Sequence, residues 1–148
     1  MTIYDIAKLA GVSASTVSRV ANNKPGIKEE TRRQIQALLD EYDYQPNETA
    51  RGLVNQSSRM IGILITDIRD AHHVDIAYYI EQEMEKQGYC SLIVNTGLSD
   101  EKKVQAIKML SQRQVDGVIL VGSTFQCDAV KTALASCFKK EPVVITNG

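Results

Sequence analysis

Residues 1–23 read MTIYDIAKLAGVSASTVSRVANN, and this stretch decides the N-terminal fold. Ile3, Ile6, Ala7, Leu9 and Ala10 recur at helical spacing, with Asp5 and Lys8 on the outer side. Thr2 is placed to cap this helix, and Asp5, three residues on, suits the positive end of its dipole. Gly11 stands where a left-handed residue ends a helix. Val12 then turns back toward the core, and Ser13 can cap a second helix over residues 14–20. Val17, Val20 and Ala21 form the inner face of that helix, leaving Ala14, Ser15, Ser18 and Arg19 outward. Two short helices joined by a tight turn are the layout of a helix-turn-helix, whose second helix enters the DNA major groove. Short side chains let such a helix sit deep, and Arg19 can offer two hydrogen bonds to guanine O6 and N7. An ordinary αα-hairpin with a solvated outer face has the same spacing, so spacing alone leaves both readings open.

Outward from this stretch, a third helix is expected over residues 29–42, with Ile35, Leu38 and Leu39 inward. Lys28 stands where Ser or Asp is the usual cap, which weakens its start. The whole chain of 148 residues carries a net charge of −1, which does not advertise a nucleic-acid binder. Position is more informative, because residues 1–28 hold Lys8, Arg19, Lys24 and Lys28 against the single acid Asp5. The acids Glu29, Glu30, Asp40, Glu41 and Asp43 belong to the next helix and its end. Residues 46–58, PNETARGLVNQSS, then read as a connector in which Asn47 can cap a short helix. A helix of that length is marginal alone in water, and Gly52 weakens it further, so disorder is expected unless something packs on it.

From Met60 the pattern becomes alternating strand and helix. MIGILIT, CSLIVN, GVILVG and PVVIT read as strands. Helices are expected over residues 76–87, ended by Gly88, over 100–113, capped by Ser99, and over 128–140. Such alternation implies a parallel sheet covered on both faces, with ligands bound beyond the carboxyl ends of the strands. Those ends are Thr66-Asp67, Asn95-Thr96, Gly122-Ser123-Thr124 and Asn147. The three cysteines, Cys90, Cys127 and Cys137, lack metal-ligand spacing and read as buried free thiols. No leader-like stretch or membrane-spanning apolar run is seen, so a cytoplasmic location and no membrane partner are expected.

The run IYDIAKLAGVSASTVSRV resembles the DNA-binding headpiece of the lactose-repressor (LacI/GalR) family of bacterial transcription regulators. EETRRQIQALLDEYDYQPNETARGL does so too, and IGILITDI, QGY and QVDGVILVG carry the resemblance through residues 60–148. It implies an all-α helix-turn-helix headpiece over residues 1–45, a hinge over 46–59, and a partial effector-binding α/β lobe over 60–148. That lobe would be the N-terminal half of a periplasmic-binding-protein-like core, incomplete and with exposed apolar surface, the second lobe lying outside the chain. The resemblance makes Ser13, Ala14, Ser15, Thr16, Ser18 and Arg19 the major-groove residues. In the family the hinge folds when two subunits bind an operator, and a leucine wedges open a central base step. Leu53 matches that lever, Ala50 the small residue at the helix contact, and Asn47 the hinge cap. Apolar wedges of this kind unstack a step and bend DNA.

By position in the family, Thr66, Asp70, His72, His73, Ile76 and Asn147 would line the effector cleft. Asn147 stands where many relatives carry an acid that bonds sugar hydroxyls, and an amide both donates and accepts there. His72 and His73 read equally as cleft contacts, as a pH-sensitive element or as surface. A metal site is disfavoured because adjacent side chains diverge and no third ligand is evident. The implied function is a sequence-specific regulator, a repressor, binding a pseudo-palindromic double-stranded operator as a homodimer. A small molecule, a sugar or related metabolite, would act as effector, with no cofactor and no catalytic residue. A periplasmic sugar-binding protein would leave residues 1–58 without a purpose. An enzyme would need a phosphate loop, a dinucleotide fingerprint or a catalytic set, and none is present.

Overall fold

The computed structural model describes residues 1–146, without the side chains of Glu48, Thr49, Leu53 and Val54. The chain forms two compact units, Met1–Asn47 and Glu48–Gly148, each taken here by itself.

The first unit holds α1 (Ile3–Ala10), α2 (Ala14–Ala21) and α3 (Glu29–Glu41). α1 opens on a reciprocal capping box: the Asp5 N–H donates to Thr2 Oγ1 at 3.3 Å, and the Thr2 N–H donates to Asp5 Oδ2 at 2.8 Å. Two otherwise orphaned donors are satisfied at once. Gly11 ends the helix at φ 64°, in the left-handed region, where its N–H serves the last carbonyls of α1. Ile6, Ala7 and Ala10 of α1 meet Val17 and Val20 of α2 and Ile35 and Leu39 of α3 in one small core. Leu9 corrects the sequence reading: it lies on the open side of α1 and is 52% exposed, because residues 6, 7 and 10 already fill the inner stripe. α3 begins at Lys28 without a side-chain cap, as its sequence implies.

The second unit opens with α4 (Glu48–Asn55) and continues as β1 (Met60–Ile65), α5 (Ala71–Lys86), β2 (Cys90–Asn95), α6 (Asp100–Gln112), β3 (Gly117–Val121), α7 (Asp128–Cys137) and β4 (Val143–Thr146). The sheet is wholly parallel in the order β2-β1-β3-β4. Ile61, Ile63 and Ile65 point to one face, where Ala77 of α5 covers them. Leu64 and Leu120 point to the other, under Ile107 and Leu110 of α6 and Val130 and Leu134 of α7.

Several element ends differ from their sequence reading. α5 starts at Ala71 rather than near residue 76, because Asp70 is an N-cap whose carboxylate accepts from the N–H groups of His72 and His73. α7 stops at Cys137, where Phe138 turns into the core instead of extending the helix. Ser99 precedes α6 but makes no side-chain cap hydrogen bond. Cys90 is exposed rather than buried, since it opens the edge strand β2, while Cys127 and Cys137 are half-buried. α4 is helical where the sequence alone favours disorder, and the chain after it packs back onto Gly52.

Gly62, in the central strand, shows how tightly α6 seats on the sheet: a Cβ there would lie 2.5 Å from Leu110 Cδ1. Leu110 is fully buried, so it cannot swing away freely. Gly62→Ala is therefore expected to destabilise the second unit by about 1–3 kcal/mol, the usual cost of overpacking a core. Urea unfolding followed by circular dichroism measures it, and an unchanged midpoint would show that α6 is loosely seated.

Candidate nucleic-acid interface

The start of α2 is organised by Ser13. Its hydroxyl accepts the Thr16 N–H at 3.2 Å and lies within hydrogen-bond distance of Ser15 Oγ, at 2.8 Å, and Thr16 Oγ1, at 2.9 Å. Ser13, Ser15 and Arg19 are exposed, whereas Ala14, Thr16 and Ser18 are half-buried. Ala14 leans on the three-helix core. The Ser18 carbonyl accepts from the Asn22 side-chain amide at 2.7 Å. Small hydroxyl-bearing side chains and one long cation therefore share the open side of a helix whose other side is core.

Arg19 has a partner that the sequence did not disclose. Its Nη2 donates to the Pro25 carbonyl at 2.8 Å, and a Cβ on Gly26 would meet the same nitrogen at 3.2 Å. Gly26, at φ 90°, keeps that approach open. From α3, Arg32 donates to the Lys24 carbonyl at 2.5 Å and to Asn23 Oδ1 at 3.4 Å. Two guanidinium groups thus hold the turn after α2, presenting Lys24 to solvent. Arg32 is the residue the sequence reading missed. Nothing local to α3 marks it, because its partners lie eight and nine positions back.

Asn47 lies just ahead of α4, and Ala50 is exposed on it. The side chain of Leu53 lies outside the described residues. After α4 the chain is caught by Asp116, the residue before β3. Its carboxylate accepts from the Ser57 hydroxyl, from the Ser58 N–H at 2.9 Å and from the Arg59 N–H at 3.2 Å. Burial pushes its pKa up, but the hydrogen bonds from Ser57, Ser58 and Arg59 outweigh that and leave it below the usual carboxylate value.

At the carboxyl ends of the strands, Thr66 is buried. Asp67 binds Arg69 through Nε at 2.9 Å and Nη2 at 2.8 Å. These hydrogen bonds bring its pKa down to about 2. Asn95 accepts the Ile68 N–H at 2.7 Å and so ties the end of β2 to the loop after β1. His73 Nε2 sits 3.3 Å from the position of a Gly122 Cβ, over the end of β3. Its Nδ1 is buried, 3.8 Å from Asp70 Oδ2, and has no hydrogen bond among the described residues. His72 is exposed beside it. Asp70, His73 and Gly122 are thus brought together at the exit ends of the neighbouring strands β1 and β3, whose following helices lie on opposite faces of the sheet, the switch point at which doubly wound sheets bind ligands. Ile76 instead packs into the core beneath α5. Asn147 lies outside the described residues. Nearby, the buried Lys103 donates to the Thr124 carbonyl at 2.7 Å and steadies the turn after β3. Among the described residues no group of three or more His, Cys, Asp or Glu is gathered as metal ligands, and no helix is long and apolar enough to cross a membrane.

Comparison with known proteins adds independent findings. Residues 2–47 match the family described as "Bacterial regulatory proteins, lacI family". Residues 58–147 match "Periplasmic binding proteins and sugar binding domain of LacI family". An HTH-type transcriptional regulator of Lachnoclostridium phytofermentans is 38% identical, over 100% of this chain and 45% of that protein. Catabolite control protein A of Streptococcus mutans is 38% identical over 82% of this chain and 37% of its own length. The crystal structure of the Lac repressor dimer bound to operator and the anti-inducer ONPF superposes with a TM-score of 0.85 at 26% identity, covering 99% of this chain and 45% of that one. The chain thus spans less than half the length of these relatives.

Because the Asp116 pKa is depressed, its hydrogen bonds stabilise fully above the ordinary Asp pKa of about 3.9 and are lost as pH falls through the lower folded value. The Ser58 amide proton, followed by NMR during an acid titration, is expected to report an inflection below that ordinary value. An inflection at or above it would show that the hydrogen bonds do not hold the anion.

Proposed function

The chain belongs to the LacI family of bacterial regulatory proteins, and from that membership we propose that it binds DNA sequence-specifically as the reading portion of a transcription repressor. The observation that carries this reading is α2: a capped helix, cored on one side by Val17 and Val20, with Ser15 and Arg19 exposed on the other. Lys24 beside it, and the lack of acids in residues 6–28, suit a surface that meets phosphates. Residues 1–45 serve as the headpiece, 46–59 as the hinge and 60–148 as part of the effector lobe. The break between compact units falls after Asn47, which groups α4 with the second unit.

Ser13, Ala14, Ser15, Thr16, Ser18 and Arg19 are assigned to the major groove, and Asn47, Ala50 and Leu53 to the minor groove at the centre of the site. A homodimer on a pseudo-palindromic operator follows from the two-fold symmetry that such regulators impose on DNA. The Lac repressor that superposes on this chain is described as a dimer bound to operator, which supports the assignment. A small-molecule effector, a sugar or related metabolite, is proposed at the switch point near Thr66, Asp70, His72 and His73. The match to a sugar-binding domain supports it. The site of action is the cytoplasm, where the DNA is. No catalytic step is assigned to any residue, and the relatives named above are regulators rather than enzymes.

Arg19 commits one N–H to the Pro25 carbonyl, which leaves its other guanidinium donors to read a base. Selection from random duplexes at about 0.15 M salt, where non-specific binding is weak, tests the reading. The expected product is a palindrome, or its half-site. Arg19→Ala is expected to lose roughly 1–3 kcal/mol on the selected duplex and to relax one position per half-site. An equal loss on every sequence would assign Arg19 to the turn and the phosphates instead. No enrichment by the wild-type chain would overturn the DNA reading.

A further inference from the structure

Of the four residues that join α4 to β1, the last three are governed by one side chain from elsewhere in the sequence. Asp116 uses both carboxylate oxygens: Oδ1 accepts from the Ser58 N–H at 2.9 Å and the Ser58 hydroxyl at 3.3 Å. Oδ2 accepts from the Ser57 hydroxyl and from the Arg59 N–H at 3.2 Å. The main chain repeats the tie, since the Asp116 N–H donates to the Met60 carbonyl at 2.8 Å and the Cys90 N–H to the Arg59 carbonyl at 2.9 Å. Both strand neighbours of β1 therefore hold the chain at its entry to the sheet.

Ser57 is also tied back to the helix. Its N–H donates to the Gly52 carbonyl at 3.3 Å. Its own carbonyl lies 3.1 Å from where a Gly52 Cβ would stand, so any side chain at 52 would press on this contact. Gln56 at φ 54° and Arg59 at φ 55° flank the two serines in the left-handed region, which non-glycine residues adopt only where the surroundings over-determine them. The Arg59 guanidinium is in turn placed over the Tyr89 ring, 5.0 Å from its centre. The path from α4 to β3 is thus continuous: Gly52, Ser57, Asp116.

We propose that Asp116 is a positioning residue for the connector helix, its carboxylate fixing residues 57–59 so that α4 leaves the sheet in one direction. Any movement of β3 against β1 is then passed to α4 through a short, fully bonded joint. Its functional consequence rests on the reading of α4 as the DNA-contacting hinge, whereas the mechanical statement does not. A carboxylate suits the task because it accepts several bonds and donates none. The isosteric amide of Asp116→Asn keeps the volume but turns an N–H2 toward the Ser58 or Arg59 N–H.

The test uses the full chain and residual dipolar couplings of backbone amides. In the wild type the couplings of α4 are expected to fit the alignment of β1 and β3. In Asp116→Asn the α4 couplings are expected to fall at least twofold and to leave that fit, while those of the sheet and of α1–α3 are unchanged. If α4 still fits the sheet in the variant, or never fits it in the wild type, the proposal is overturned. Should the variant lose its sheet couplings too, Asp116 is merely a structural residue of the lobe, which also overturns it. Ser57→Ala removes one donor to Asp116 and leaves in place the Ser58 hydroxyl, which accepts the Met60 N–H of β1 at 3.3 Å, and it is expected to weaken the α4 fit in the same direction even where Asp116→Asn fails to fold; an unchanged fit overturns the proposal. On duplexes selected by the wild-type chain, Asp116→Asn is expected to bind half-sites unchanged and paired half-sites about tenfold more weakly. If no duplex is selected at all, the DNA reading fails, and the couplings still decide the role of Asp116.

Discussion

β1 is paired along both edges, with β2 and with β3, and five of its six residues are buried. A parallel strand in that position must be covered on both faces, and α5 on one side and α6 and α7 on the other do so. No polar side chain can act from the middle of such a strand. The chemistry of the second unit is therefore pushed to the two ends of β1, at the amino and carboxyl ends of the parallel strands. The entry end receives α4 and is held by Asp116, while the exit end opens onto Asp67, Asp70 and His73.

This arrangement gives a physical basis for regulation at a distance in the proposed function. A ligand that binds at the exit ends of β1 and β3 would act on the same two strands whose other ends hold the joint to α4. A close-packed sheet is stiff, so a small displacement at one end is carried to the other rather than absorbed. The exit end is itself braced. Asn95 ties the end of β2 to Ile68, and Lys103 ties α6 to the turn after β3. His73 stands against Gly122 with its Nδ1 buried, 3.8 Å from Asp70 Oδ2, and without a hydrogen bond among the described residues.

The three-helix unit follows a different economy. Its core is seven side chains, so caps and turns carry much of its definition. Reciprocal bonding of Thr2 and Asp5 opens α1, Ser13 opens α2, and Arg19 and Arg32 secure the turn before α3. The cation expected to read bases is thus also part of the scaffold of the free protein.

Local rules made much of this protein legible in the sequence. Thr2, Gly11 and Ser13 mark helix ends through bonds to residues three or four positions away, and runs such as CSLIVN announce a strand by their own composition. Helix spacing also placed Val17, Val20, Ile35 and Leu39 in a core before any neighbour was known. The exceptions are equally physical. Asp70 caps α5 through bonds two and three positions on, a signal that is local, and Leu9 faces solvent because α2 and α3 cover only the other side of α1. What sequence could not determine were the long-range partners: Arg19 with Pro25, Arg32 with Lys24, His73 against Gly122, and Asp116 with Ser57, Ser58 and Arg59. A hydrogen bond between residues 58 apart leaves no periodic trace in the chain, since only the pairing of β3 with β1 brings Asp116 to the joint.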